Sequence, residues 1–206
     1  GVFDFGSSNR GVFKSEDGGE TFAQANKLAK GDIASISINS IAFDPTTADT
    51  LYAGATNGMY KSTDAAKTWK YILSGLTVAS VTVDPYNPNN IYAAGVAGTN
   101  GKIIKSIDAG SSWIDMYTEP SKNNPVLALA TATTNSYVVL AGLSTGELLR
   151  SYDWGRTWQT SKDFADRIVK IQISSIGTSY ALTFHKGLFK STDLGLTWVS
   201  VSDSLT

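Results

Sequence analysis

One short motif occurs five times in this chain, and that repeat constrains the fold more than any other feature. Residues 15–22 read SEDGGETF, 62–69 STDAAKTW, 106–113 SIDAGSSW, 151–158 SYDWGRTW and 191–198 STDLGLTW. The leading serines stand at 15, 62, 106, 151 and 191, so the steps are 47, 44, 45 and 40 residues. A period in that range marks stacked supersecondary units, each of which buries its apolar faces only against its neighbours. Every copy is preceded by a basic residue: Lys14, Lys61, Lys105, Arg150 or Lys190.

The motif has a physical logic of its own. A serine hydroxyl and an aspartate carboxylate two residues apart both accept hydrogen bonds from nearby backbone N–H groups, which folds the chain into a tight turn. The glycine two residues after the aspartate supplies a positive φ. The terminal aromatic is a large apolar body for the core. The structural set is Ser15, Asp17, Gly19 and Phe22, then Ser62, Asp64 and Trp69, then Ser106, Asp108, Gly110 and Trp113. Ser151, Asp153, Gly155 and Trp158 follow, and the last copy has Ser191, Asp193, Gly195 and Trp198. Copy two has Ala65 and Ala66 in place of glycine, so its turn is expected to be the most strained or most altered.

At these residues the chain resembles the BNR or Asp-box repeat family, whose pattern is S-x-D-x-G-x-T-W. That family includes sialidases, xyloglucanase-type glycoside hydrolases, sortilin-type receptors and photosystem II assembly factors. The resemblance implies a β-propeller with the box on the turn between the third and fourth strands of each blade. It also implies that the boxes are architecture and not an active site.

Short β-branched and aromatic runs bounded by Gly, Pro, Asn and Asp fill the space between boxes, four per copy. In the second copy they are residues 40–44, 50–54, 58–62 and 68–73; in the third, 80–84, 90–94, 102–106 and 112–116. The fourth has 126–130, 137–142, 147–151 and 157–160, and the fifth 168–174, 179–183, 188–191 and 197–201. Asp44-Pro45 and Asp84-Pro85 close first strands, because proline cannot donate to a ladder. The predicted fold class is all-β: one propeller domain of about five four-stranded blades, in units of about 1–30, 31–76, 77–122, 123–163 and 164–206. The first blade is incomplete, since residues 1–6 align with a second strand, and residues 203–206 align with the linker before a first strand. The chain is therefore expected to be part of a larger propeller, with other blades or chain segments needed for closure. The chain begins with Gly1 and shows no signal peptide, so an N-terminal segment is expected to have been removed or to lie outside the given sequence.

Bulk properties exclude several functions. With 17 basic and 18 acidic residues, no net field draws the chain to nucleic acid or an anionic membrane. There is no cysteine, hence neither a disulfide framework nor a thiolate metal site, and no apolar run is long enough for membrane insertion. No cofactor and no metal are expected. The partner is expected to be a protein or a glycan, and the location extracellular, at the cell surface or periplasmic.

Catalytic constellations are thin. Sialidases are similar in their boxes but use three arginines on the substrate carboxylate; only Arg10, Arg150, Arg156 and Arg167 occur here, two of them beside one box. Glycoside hydrolysis needs two carboxylates across a cleft. Outside the boxes and Asp-Pro turns, Asp163 and Asp166 in one linker and Glu119 in another are the acids placed to reach an open face. His185 alone cannot build a zinc site. Residues 95–101, GVAGTNG, form a loop that leads into a strand and lacks the helix end that binds phosphate. The candidate ligand face is Arg167, Arg10, Asn57, Glu119, Asp163 and His185, with Asn39, Ser80, Asn100 and Lys122 around the same opening. Arg167 is placed to grip a carboxylate, the alternative being an ion pair with Asp163 or Asp166. Trp154, inside a box, either stacks on a sugar or anchors a partner, the alternative being packing on the neighbouring blade. The expected function is a non-catalytic binding or structural module; the alternative is a fragment of a carbohydrate-active hydrolase.

Overall fold

The structure is a computed structural model that describes residues 11–25, 27–28, 36–134 and 137–202. It is all-β and forms part of a β-propeller. A two-stranded sheet pairs β1 (Phe13–Lys14) with β2 (Ala23–Gln24). Blade two is β3 (Ile38–Phe43), β4 (Leu51–Ala55), β5 (Gly58–Ser62) and β6 (Lys70–Leu73). Blade three is β7 (Thr77–Val83), β8 (Ile91–Ala97), β9 (Asn100–Ser106) and β10 (Ile114–Lys122). Blade four is β11 (Val126–Thr131), β12 (Val139–Leu143), β13 (Glu147–Ser151) and β14 (Gln159–Asp163). Blade five is β15 (Ile168–Ile173), β16 (Ser179–Thr183), β17 (Leu188–Ser191) and β18 (Val199–Ser200). Each four-stranded sheet is an antiparallel meander in sequence order. The first strands β3, β7, β11 and β15 are successive neighbours, so they stand innermost.

The strands expected in copies two to five all form, with shifted ends. Fourth strands begin after the box aromatic, because the box occupies its own residues with turn hydrogen bonds. Residues 95–101 are not a loop: β8 and β9 pair through Ala97 and Asn100, leaving Gly98 and Thr99 as a tight turn. First strands end where expected, with Asp44 accepting the N–H groups of Thr46 and Thr47 at 2.8 and 3.0 Å. Asp84 does the same for Tyr86 and Asn87. The expected strand at residues 1–6, together with Arg10 and residues 203–206, lies outside the described residues.

The core is divided among the joints between consecutive sheets. Trp69 packs with Val12, Leu51 and Tyr60 between blades one and two. Trp113 packs with Tyr52, Met59 and Ile91 in the next joint, and Trp158 with Tyr92, Ile103 and Val139 in the one after. Trp198 packs with Leu140, Leu148 and Ile168 between blades four and five. Each of these four tryptophans therefore faces the preceding blade, and burying these large side chains supplies much of what holds one blade to another. Two joints also need glycine: a Cβ on Gly54 would lie 2.5 Å from Val78, and one on Gly142 would lie 2.5 Å from Ile168.

Candidate functional site

The five boxes share one geometry. The serine Oγ accepts the N–H four residues on, at 2.7 Å from Gly19, 2.9 Å from Ala66 and 2.8 Å from Gly110, Gly155 and Gly195. The aspartate Oδ1 accepts the N–H of Thr21, Thr68, Ser112, Thr157 or Thr197 at 2.8–2.9 Å. Its other oxygen takes the hydroxyl of that same residue. These donors hold Asp64 and Asp108 down at about 2, led by the Thr68 and Ser112 hydroxyls. Burial works against Asp193, but its donors outweigh that and keep it at about 2 as well. Both residues after the aspartate are left-handed, not only the glycine: Trp154 has φ +60° and Leu194 +57°. In copy two Ala65 and Ala66 take φ +57° and +66° and make the same hydrogen bonds, so that turn is strained but not altered. The box carboxylates are saturated by their own turns and are not free for a ligand.

In blades two, three and four the basic residue before the serine has a role that the sequence reading left unassigned: it reaches across the joint to the next box and donates to the carbonyl of the residue after that box's aspartate. Lys14 instead pairs with Glu16 of its own box at 2.8 Å. Lys61 Nζ lies 3.0 Å from the Ala109 oxygen, Lys105 Nζ 3.5 Å from that of Trp154, and Arg150 Nε 2.6 Å from that of Leu194. The Tyr92 hydroxyl adds a second bond to Trp154 O at 2.9 Å. The signal was visible as a basic residue preceding all five serines.

The candidate ligand face divides into separate clusters. Arg167 stacks its guanidinium 4.4 Å over the Phe184 ring, and Phe184 stands edge-on to His185 at 4.5 Å. Asp166 does not pair with Arg167. Its carboxylate accepts the N–H groups of His185 and Lys186 at 2.6 and 2.8 Å and meets His185 Nδ1 at 3.0 Å. Asp163 does not pair with Arg167 either; it ends β14 and accepts the Ala165 N–H at 2.7 Å. Arg167, Phe184 and His185 thus form one exposed patch on blade five, with Phe184 itself 56% exposed. Sequence reasoning missed Phe184, although it adjoins His185.

Glu119 is not in a linker on an open face. It lies within β10, buried, where its carboxylate accepts the Tyr117 hydroxyl and the Ser121 N–H. Burial raises its proton affinity, but these donors outweigh burial and leave it below the usual range. Asn100 donates to the Glu119 carbonyl at 2.8 Å, while Lys122 ends the same strand, exposed. Asn57 is on blade two, bonded to Tyr60 and Tyr71. Trp154 is 39% exposed and meets Tyr137 of its own blade edge-on at 5.9 Å, while its carbonyl accepts the Tyr92 hydroxyl of the neighbouring blade.

A cavity of about 440 Å³ opens among the inner strands, with Lys14, Asn39, Ser40, Ser80 and Lys170 among its polar lining. Asn39 donates to Val78 O at 2.8 Å, and Ser40 and Ser80 accept the N–H groups of Val81 and Leu129 at 3.1 and 3.0 Å. Its described lining holds hydroxyls, an amide and two lysines but no carboxylate, so it suits a hydroxylated ligand better than acid–base chemistry. Among the described residues no group of three or more His, Asp or Glu side chains is placed to hold a metal ion, and no helix is long and apolar enough to cross a membrane.

Comparisons with known proteins put this architecture in context. No known family profile matches the chain. It is 32% identical over 118 residues to a xyloglucanase of Hypocrea jecorina, covering 56% of this chain and 14% of that protein. It is 27% identical over 211 residues to the xyloglucanase Xgh74A of Acetivibrio thermocellus, covering 78% of this chain and 25% of that one. The chain thus spans a quarter or less of the length of these two relatives. Among solved structures, an ancestral GH74 enzyme superposes with a TM-score of 0.75 at 20% identity, over 97% of this chain and 29% of that one. At that identity the likeness speaks for the propeller fold alone.

Proposed function

We propose that this chain is part of the propeller scaffold of a glycoside hydrolase acting on xyloglucan or a related β-glucan. Within that scaffold its own residues hold and orient glycan and do not supply the acid–base pair. The observation that carries this reading is the 32% identity over 118 residues to a xyloglucanase. Two features of the chain support the division of labour. A glycosidase needs one carboxyl kept protonated near neutral pH. Every described Asp or Glu with a resolved shift is instead held below its ordinary value: Glu16, Asp17, Asp64, Asp108, Glu119, Asp153, Asp166 and Asp193.

The second feature is the patch of Phe184, Arg167 and His185. An exposed aromatic ring stacks on the C–H face of a sugar, a guanidinium donates to its hydroxyls, and the imidazole Nε2, with Nδ1–H turned to Asp166, accepts from one. Xyloglucan is a polymer met outside the cell, so the module works in a secreted or surface protein. Affinity electrophoresis in gels containing xyloglucan, with an unrelated polysaccharide as control, tests this. The chain should be retarded by xyloglucan without releasing reducing ends, and Phe184→Ala should weaken retardation several-fold. Mobility unaffected by any β-glucan would overturn the binding role, and hydrolysis by this chain alone would overturn the division of labour.

A further inference from the structure

The box of blade four is unlike its siblings. At the residue after the aspartate the other copies carry Gly18, Ala65, Ala109 and Leu194, whereas this one carries Trp154. The non-glycine residues at that position are all left-handed, with φ +57° at Ala65, +55° at Ala109, +60° at Trp154 and +57° at Leu194. That conformation is costly for a bulky side chain. Leu194 offsets the cost by packing against the cluster between blades four and five. Trp154 belongs to none of the four described clusters and stays 39% exposed. A large ring is thus held out of the core on a strained turn, on a blade flanked by two described blades.

The ring is nevertheless fixed in place. Its backbone is tied to blade three, where the Tyr92 hydroxyl and Lys105 Nζ donate to the Trp154 carbonyl at 2.9 and 3.5 Å. Tyr137 abuts the indole edge-on, and the Arg156 guanidinium lies 6.0 Å from the ring centroid. No described carboxylate pairs with Arg156. Asp153 of the same box is already taken by the Thr157 N–H at 2.8 Å and by the Thr157 and Ser151 hydroxyls at 2.7 and 2.9 Å. The site therefore offers one preorganised aromatic face and one uncommitted guanidinium, with Lys105 as a second cation beside the same turn.

These features select the occupant. A stable protein interface takes about 800 Å² from each partner, far more than one indole and one side chain supply. A single pyranose ring, by contrast, matches one indole face and stacks on it through its C–H groups. A neutral sugar would leave the guanidinium unused, whereas a carboxylate takes it through paired N–H bonds. A sugar that carries its own carboxylate satisfies both groups. The box follows β13, while Phe184 and His185 follow β16, so the two surfaces stand at opposite ends of the blades and act independently.

We propose that the blade-four box binds hexuronate residues of an acidic polysaccharide, with the apolar face of the sugar on Trp154 and its carboxylate on Arg156. Affinity electrophoresis in gels of polygalacturonate and of glucuronoxylan, each beside its methyl-esterified counterpart, tests this. The chain carries a net charge of −1, so its bulk charge gives no attraction to a polyanion. At least one of the two acids should retard the chain and its ester should not, and which acid does so identifies the uronate. Trp154→Ala should weaken retardation about tenfold, the range for losing one aromatic contact. Two sibling boxes already hold alanine at this position with the same sign of φ, so the variant keeps its turn. Arg156→Gln should weaken retardation about tenfold or more, and Arg156→Lys should restore part of it, because lysine keeps the charge and loses the fork. Tyr86→Ala, which removes a 62% exposed ring from another turn at the same end of the blades, should change nothing. Retardation by neither acid overturns the proposal, as does equal retardation by acid and ester. Retardation that survives Trp154→Ala, or that falls equally with Tyr86→Ala, also overturns it. Binding of xyloglucan is a separate measurement, so failure here leaves the glycan reading standing.

Discussion

Replacing Asp193 with alanine tests the box as an element of stability. Its carboxylate accepts the N–H groups of Leu196 and Thr197 at 3.0 and 2.9 Å, the Thr197 hydroxyl at 2.6 Å and the Ser191 hydroxyl at 2.7 Å. Leu196 is 57% exposed, so water reaches much of what alanine would leave bare, and the full penalty of a buried orphan does not apply. Two backbone bonds at about 1 kcal/mol each then give a loss of about 2 kcal/mol. For a chain of this size that is roughly 4–8 °C in Tm.

The pH dependence has a definite sign. Asp193 is held at about 2 in the fold, below its ordinary 3.8, so its contribution is fully present above the ordinary value. That contribution fades as pH falls toward 2. Calorimetric melting should therefore show a wild-type-to-variant gap that is constant from about pH 5 to 7 and narrows below about pH 4. Asp163→Ala, which frees only the exposed Ala165 N–H, should cost about 1 kcal/mol or less. A Tm unchanged at pH 7, or a gap of the same size at pH 2 and pH 7, would refute the reasoning.

Two further substitutions probe the joints. Gly95→Ala puts a Cβ 1.8 Å from the Thr77 carbonyl oxygen, a backbone atom that cannot rotate away. It should cost about 3 kcal/mol, read as a lower urea midpoint at constant slope. Trp69→Ala removes a side chain 1% exposed and its 2.7 Å bond to the Ala25 carbonyl, for about 3–5 kcal/mol. Phe22→Ala, at a ring 44% exposed, should cost about 1 kcal/mol or less. Equal costs at the two positions would contradict the assignment of box aromatics to the preceding blade.

Much of the fold was legible because its information is local. Ser, Asp and Thr at spacings of two and four specify a turn whose hydrogen bonds never leave the box, and a hydrophobic run needs only a few residues to mark a strand. The same locality explains the errors in strand ends. Box residues look β-prone, yet their N–H groups are claimed by side chains, so β18 starts at Val199 and not at Thr197.

The candidate site was less legible. Glu119 was read as a linker acid, but β10 runs on to Lys122 and buries it, which depends on pairing with β9 across a register shift. Arg167 was offered carboxylate partners close in sequence and took the ring of Phe184, which β15 and β16 bring alongside through their pairing.

What the sequence by itself determined is the repeat, the turn chemistry and the aromatic that each unit must bury, because these follow from residue types within one unit. Only the tertiary structure decided which unit each side chain serves. Lys61, Lys105 and Arg150 each bond a carbonyl 48, 49 or 44 residues away. That separation is one blade, and whether a basic side chain turns to solvent or to the next box depends on how two twisted sheets pack face to face. The packing in turn rests on glycines such as Gly54 and Gly142, where the absence of a Cβ sets how near the next strand can come.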